Sequence, residues 1–309
     1  MIWPFFLSKG GFMDTIRKND IVYMGVIDHG RRFDCAFRVL DPDSTSTGGK
    51  GMFLLSENLV SERKGKGIIF KKTKKPYDNR YQDSHAREFL KEFFEEHFYE
   101  VEKKAIIRTC KSDEAYVKIH CWELLHDEKH KGEFPFVASM DILSHDALFP
   151  LSAEEADNAE YGFDDELNRI AFLDGKKAGY WLRSPHADDF PKDVGIVFHN
   201  GWLMDFLEDK KSIFHVAKIC MRPALNLDTD LVQEKILVSE DPSGYREWVF
   251  RYVGESETEF ERRIGCYRYH RRYVPKKPLE KKKIPAVFRF FLALFIHHVE
   301  INRLKKKNG

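Results

Sequence analysis

Up to Ser56 the apolar positions of this chain come in short runs broken by polar loops. Ile21-Val-Tyr-Met-Gly-Val-Ile-Asp and Cys35-Ala-Phe-Arg-Val-Leu are rich in β-branched and aromatic residues, and Asp28-His-Gly-Arg-Arg between them has the chemistry of a hairpin turn. Gly51-Met-Phe-Leu-Leu-Ser predicts a third strand after the polar loop Asp41 to Lys50. The rhythm changes at Ser84. Phe89, Leu90, Phe93, Phe94, Phe98, Val101 and Ile106 recur three and four residues apart, which predicts one amphipathic helix between Ser84 and Arg108, with Ser84 as its cap and Glu88 in its first turn.

Phe134-Pro-Phe-Val-Ala-Ser-Met-Asp-Ile-Leu predicts another strand. Ser152 with Glu155 three residues on forms a capping box for a short acidic helix, and Ile170-Ala-Phe-Leu either continues that helix or starts the next strand. Tyr180-Trp-Leu-Arg, Gly195-Ile-Val-Phe-His, Trp202-Leu-Met-Asp-Phe and Met221-Arg-Pro-Ala-Leu-Asn-Leu then follow, separated by Pro, Gly and Asp, as an antiparallel meander would be. A further strand is expected at Arg246-Glu-Trp-Val-Phe-Arg-Tyr. Strand and helix never alternate regularly enough for a doubly wound parallel sheet. The expected class is α+β, a mixed antiparallel β meander with flanking helices.

The pattern divides the chain into an extension at 1–13, a main domain at 14–230, a β-rich continuation of that domain at 231–274, and a basic linker with an amphipathic helix at 275–309. Met13 is an alternative start. Ser61 to Pro76 carries lysines and glycines around Ile68-Ile-Phe and is expected to be an exposed insertion. In the last segment, Ala286 to His298 is apolar but interrupted by Arg289, and falls short of the ~20 residues that span a bilayer. It suits a helix packed on its own domain or on a partner, or one lying in a membrane interface between flanking lysines.

Composition narrows the functions. The 51 basic and 50 acidic side chains nearly cancel, so no global field steers the protein to nucleic acid, and none is expected as a partner. Five cysteines are scattered singly, which argues against a disulfide framework or a zinc ribbon and fits a reducing, cytoplasmic setting. The N-terminus lacks the basic start and small-residue cleavage site of a secretory signal.

Arg38-Val-Leu-Asp, Phe53-Leu-Leu-Ser, Ser84-x-x-Arg87-x-x-Leu90, Glu102-x-x-x-Ile106, Phe136-Val-Ala-Ser, Tyr180-Trp-Leu-Arg-Ser-Pro and Met221-Arg-Pro-Ala-Leu occur in this order. Together they resemble the bacterial domain of unknown function 6273, over Ile21 to Leu227. The chain departs from the family pattern where Gly-Val-Arg-Pro-Ala is usual and Cys220-Met-Arg-Pro-Ala stands here. The paired Trp-x-Arg-Ser and Arg-Pro strands are also similar to the core of the formylglycine-generating, sulfatase-modifying-factor-like and C-type-lectin-like fold. That likeness implies a structural signature at Trp181, Arg183, Arg222 and Pro223, with variable loops between the strands.

Arg183 and Arg222 have the bidentate chemistry to hold a carboxylate or phosphate, yet both lie in apolar strands, where Asp141 or Asp228 would be natural buried partners. Trp181 and Trp202 suit core positions or, if exposed, stacking on a sugar or base. Asp188-Asp189 with Asp193, and Asp164-Asp165-Glu166, are carboxylate groups without EF-hand spacing and read as loop acids. His126 and His130 have helical spacing in a charged segment, and H-E-x-x-H is absent. No G-x-S-x-G surrounds Ser184, and Gly48-Gly-Lys-Gly reads as a flexible loop.

No complete catalytic constellation emerges, and no metal or cofactor is implied. The first expectation is a binding or interaction domain whose loops between residues 184 and 218 present Ser184, Asp188, His199, Trp202 and Asp205 to a protein, peptide or glycan. The alternatives are an enzyme or metal-dependent protein modifier centred on Cys220 and His199, and a peripheral membrane protein held by residues 286–298.

Overall fold

The computed structural model describes residues 15–25, 36–62, 67–70, 80–120, 133–185, 193–207, 219–242 and 244–271. Met1–Arg268 forms one compact unit and Tyr269–Gly309 a second. The expected segment at 275–309, with its helix at 286–298, lies outside the described residues.

The chain opens with β1 (Ile21–Tyr23), β2 (Ala36–Asp41) and β3 (Met52–Ser56), followed by α1 (His85–His97) and α2 (Glu100–Ala105). Next come β4 (Thr109–His120), β5 (Glu133–Asp146), α3 (Ala153–Asp157), α4 (Glu166–Arg169), β6 (Ala171–Leu173), β7 (Lys176–Pro185), β8 (Asp193–Val197) and β9 (Leu203–Leu207). The described chain closes with β10 (Ile219–Cys220), β11 (Ala224–Leu227), β12 (Val232–Glu240), β13 (Arg246–Tyr252) and α5 (Glu257–Arg271). Two sheets result. One has the order β11-β3-β2-β1-β13-β12; the other runs β10-β7-β8-β9-β4-β5, with β6 against β7. No described helix is long and apolar enough to cross a membrane.

The meander is present as β7, β8 and β9, paired antiparallel in succession. It is not the whole plan. β1 pairs parallel with β13, β10 with β7, and β4 with β9, so distant segments meet in both sheets. Of the run from Met221 to Leu227, expected as one strand, only Ala224–Leu227 is strand, and Met221 makes a lone bridge to Val60. Cys220 pairs with Tyr180 of β7, whereas Ala224–Leu227 pairs antiparallel with Met52–Leu55 of β3. Pro223 sits at the crossing, where its missing N–H removes a ladder donor and its carbonyl accepts from the Ser56 amide at 2.8 Å.

The helix expected from Ser84 to Arg108 is two helices. Ser84 caps α1 as expected, accepting from the Arg87 amide, but Phe98 and Tyr99 are extended. Two buried groups account for the break. Phe98 turns in against Phe94 and Phe37, and Glu102 reaches back to the Tyr99 amide at 3.1 Å while also accepting from the Gly25 amide and from Arg263. A straight helix would lose both.

Two loops are more structured than their composition suggested. In the basic insertion, Ile68 and Phe70 belong to the core, and the Trp181 indole donates to the Ile68 carbonyl at 2.7 Å. In the Asp41–Lys50 loop, Asp41 accepts from the Asp43 and Ser44 amides, Thr45 bonds with Gly49, and the buried Asn226 side chain accepts from the Ser46 amide at 2.8 Å. Fully buried Asn226 also donates to Ser46 and Thr109 hydroxyls, so the loop is tied to β11 and to the start of β4.

Candidate binding turn

β7 is buried from Gly179 to Pro185 and supplies the frame. Arg183 donates to both Glu155 oxygens, at 2.6 and 2.9 Å, and to the Pro150 carbonyl at 2.8 Å. Among the described side chains its acid is Glu155 of α3, where the sequence offered Asp141 or Asp228. The capping box forms, with Ser152 and Glu155 exchanging hydrogen bonds, and Lys111 adds a second cation at 3.1 Å. Burial opposes the charge on Glu155, but Arg183 first, then Lys111 and the Ser152 amide, hold its carboxyl down at about 2.

Ser184, expected at the presenting surface, is fully buried, and its hydroxyl accepts from the Ala153 amide at 2.9 Å. It belongs to the frame beside Arg183, because alternate residues of a strand covered on both faces all point into protein. Trp181 is likewise core.

Arg222 has a different environment. Its acceptors are neutral: the Ser56 carbonyl at 2.9 Å, the Arg169 carbonyl at 3.4 Å and the Tyr180 hydroxyl at 3.3 Å. The Tyr180 hydroxyl donates in turn to the Arg169 carbonyl at 3.0 Å. These contacts fix Arg169 from behind. Its own guanidinium reaches forward to the carbonyls of Ala156, Phe163 and Gly201 and to Asp157 at 2.7 Å. A chain of polar contacts thus runs from the signature strand to the turn joining β8 and β9.

That turn spans Phe198 to Trp202. The Phe198 amide donates to the Trp202 carbonyl, the Gly201 amide to the Phe198 carbonyl, and the Trp202 amide to the Asn200 side chain. Gly201 has φ +93°, and a Cβ placed on it would fall 1.9 Å from the Glu166 carbonyl oxygen, so only glycine lets the turn lie against α4. Across the contact the Trp202 indole donates to Glu166 Oε2 at 2.9 Å. Trp202 is half-buried, while His199, Glu166 and Leu167 are exposed, Leu167 at 48%. The turn presents an aromatic ring and an imidazole, and α4 beside it a carboxylate and an aliphatic side chain.

Of the five ligand candidates, His199 and Trp202 share this turn. Asp205 lies on β9, its side chain outside the described residues; Asp188 lies outside them altogether. The described partners of the turn that sequence reasoning left out are Leu167, Arg169 and Gly201. Asn200-Gly201 between two apolar runs was the available signal for a tight hairpin, but nothing local pointed to α4 as the surface beneath it.

Cys220 and His199 are not brought together. Cys220 is fully buried on β10, and the register Cys220 to Tyr180 to Val197 puts two strand spacings, about 10 Å, between it and the end of β8. Neither Cys110 nor Cys220 is disulfide-bonded. Among the described residues no three His, Cys, Asp or Glu side chains converge as a metal ion requires. In the acid trio each carboxylate has its own donor: Asp164 the Asn168 amide group, Asp165 the Leu167 amide as an N-cap, and Glu166 the Trp202 indole. His126, His130, His297 and His298 lie outside the described residues.

The fold and the turn define a mixed α/β domain, mostly sheet with few helices, carrying a clamped hairpin on its surface. A family model described as Domain of unknown function (DUF6273) matches residues 49–229, more than half of the chain, and the chain belongs to that family. Every motif of the resemblance falls inside the match except Arg38 to Asp41. No curated protein matches the chain, and no solved structure does.

Proposed function

We propose that this chain is a non-enzymatic binding domain of C-type-lectin-like design, in which the turn Phe198 to Trp202 and the adjoining α4 take a peptide, protein or glycan. The observation that carries the reading is the position of Trp202, half-buried and pinned through its indole to Glu166. An aromatic ring on an ordered turn contributes contact area without the entropy cost of ordering a loose loop on binding. The lectin-like part rests on the division of labour along the chain: Trp181, Arg183 and Arg222 are buried in the framework, and the connection between β8 and β9 is solvent-facing.

Screening Trp202→Ala beside the unaltered protein on peptide and oligosaccharide arrays tests the proposal. The expected result is a folded variant, by thermal melt, that loses the ligand of the parent chain. A folded variant that binds as before would remove the turn from the site.

A further inference from the structure

We infer that residues 67–70, with the cations that flank them in the chain, form a docking surface for an anionic lipid membrane, and that Ile69 enters its headgroup layer. This is a different segment from the turn at Trp202 and from residues 286–298, and it stands on its own observations.

The first is an exposed apolar side chain on an anchored backbone. The Ile68 amide donates to the Ile219 carbonyl at 2.7 Å, the Trp181 indole donates to the Ile68 carbonyl at 2.7 Å, and the Phe70 carbonyl accepts from the Ala86 amide at 3.2 Å. Ile68 and Phe70 are buried, and the Phe70 ring lies on Trp181 with centroids 5.2 Å apart. With both neighbours turned inward, Ile69 is turned out and is 52% exposed. Three backbone bonds thus fix an aliphatic group where water meets it, and such a group gains from burial in an apolar layer.

The second is charge. From residue 63 to residue 75 the chain carries one arginine, six lysines and no acid. Because the whole chain is at +1, these seven cations leave the rest of it at −6. The positive charge that the full chain lacks is therefore concentrated around Ile69. Those side chains lie outside the described residues, but covalent geometry limits their distance. Lys66 is three residues from Ile69 and Lys71 two, so their Cα atoms lie within about 11 and 7 Å of it.

Together the two features favour a bilayer over other anions. A nucleic acid offers bases that stack on aromatic side chains, whereas the exposed residue here is aliphatic and the one aromatic ring of residues 67–70 is buried. A soluble phosphate neutralises lysines but buries no isoleucine. An anionic bilayer does both: its surface attracts each nearby cation by about fivefold in partitioning, and its acyl boundary takes the side chain.

Sedimentation of the full chain with vesicles of phosphatidylcholine, alone or mixed with phosphatidylserine, tests this. Binding to the mixed vesicles only is expected, weakening as salt is raised. Lys71→Gln with Lys72→Gln should lower the partition coefficient about 25-fold. Lys176→Gln with Lys177→Gln, which removes two exposed lysines at the start of β7, should leave it unchanged. Ile69→Ser should lower it about threefold at a parental melting temperature. Partitioning that Lys71→Gln with Lys72→Gln leaves unaltered, or that the β7 substitutions lower equally, would overturn the site and place the contact elsewhere in the chain. Loss with the lysines but not with Ile69→Ser would reduce it to charge attraction and overturn the role of Ile69. Sedimentation with neither vesicle, or capture of a single-stranded oligonucleotide instead, would overturn the lipid partner.

Discussion

Both terminal nitrogens of Arg183 reach the carboxylate of Glu155, and neither side chain meets solvent. The pair joins the middle of β7 to the first turn of α3, and Lys111 of β4 completes it. Desolvating two charges is costly, and this geometry offsets the cost only while both partners are present. Arg183→Ala leaves a buried carboxylate and should destabilise the protein by about 3–5 kcal/mol in urea unfolding. Arg183→Met combined with Glu155→Leu should cost clearly less than Arg183→Ala. A double variant as unstable as that single would show that the pair is not coupled.

The same carboxylate makes stability depend on acid. Glu155 titrates at about 2 in the fold against 4.5 ordinarily, so its contribution is complete above pH 5 and is lost as pH falls towards 2. The loss is on the order of 3 kcal/mol. Urea midpoints measured at pH 7, 4 and 3 should fall in that order, and Glu155→Gln should start lower and fall less.

Gly201→Ala puts a methyl group into the Glu166 carbonyl and asks alanine for a left-handed conformation. The turn must lift from α4. A strain of about 2 kcal/mol corresponds to a melting temperature lower by about 5 °C. Because Trp202 moves with the turn, its emission should change together with the melt; a variant with parental emission and stability would contradict the close contact.

Arg222 serves three neutral acceptors contributed by β7, by the last residue of α4 and by the end of β3. Arg222→Ala strips donors from buried oxygens at about 1–3 kcal/mol each and should leave little folded protein. Arg222→Lys keeps the charge but not the fork, and is expected to be only partly rescued, judged by amide exchange at Tyr180 and Ser56. A fully stable Arg222→Ala would mean that the guanidinium is not part of the frame.

The matched segment 49–229 contains β3 and β11 but not β1, β2, β12 or β13. In the six-stranded sheet those four strands lie in a row beyond β3, so a chain cut to 49–229 keeps two strands with an exposed apolar edge. It should aggregate or remain unfolded by circular dichroism, whereas 15–271 should fold.

Local chemistry was enough for the sequence to declare most of its strands, though not β4, β10 or β12, together with the Ser84 cap, the capping box of Ser152 and Glu155, and the burial of Trp181, Arg183 and Arg222, because each depends on neighbours a few residues away or on an apolar run. The break in the long helix was not legible, since Phe98 and Glu102 leave helical register for partners at Phe37, Gly25 and Arg263. Nor was the shortening of the Met221–Leu227 run to Ala224–Leu227, which depends on Met221 bridging Val60 while β11 pairs with β3. Ser184 carried no local mark of burial; only α3 folding across it decided that. The turn at Trp202 was foreseen as surface, but its rigidity comes from Glu166 and Arg169, more than thirty residues away. Contacts between distant segments arise from packing, and it was packing that turned a list of exposed candidates into one clamped hairpin.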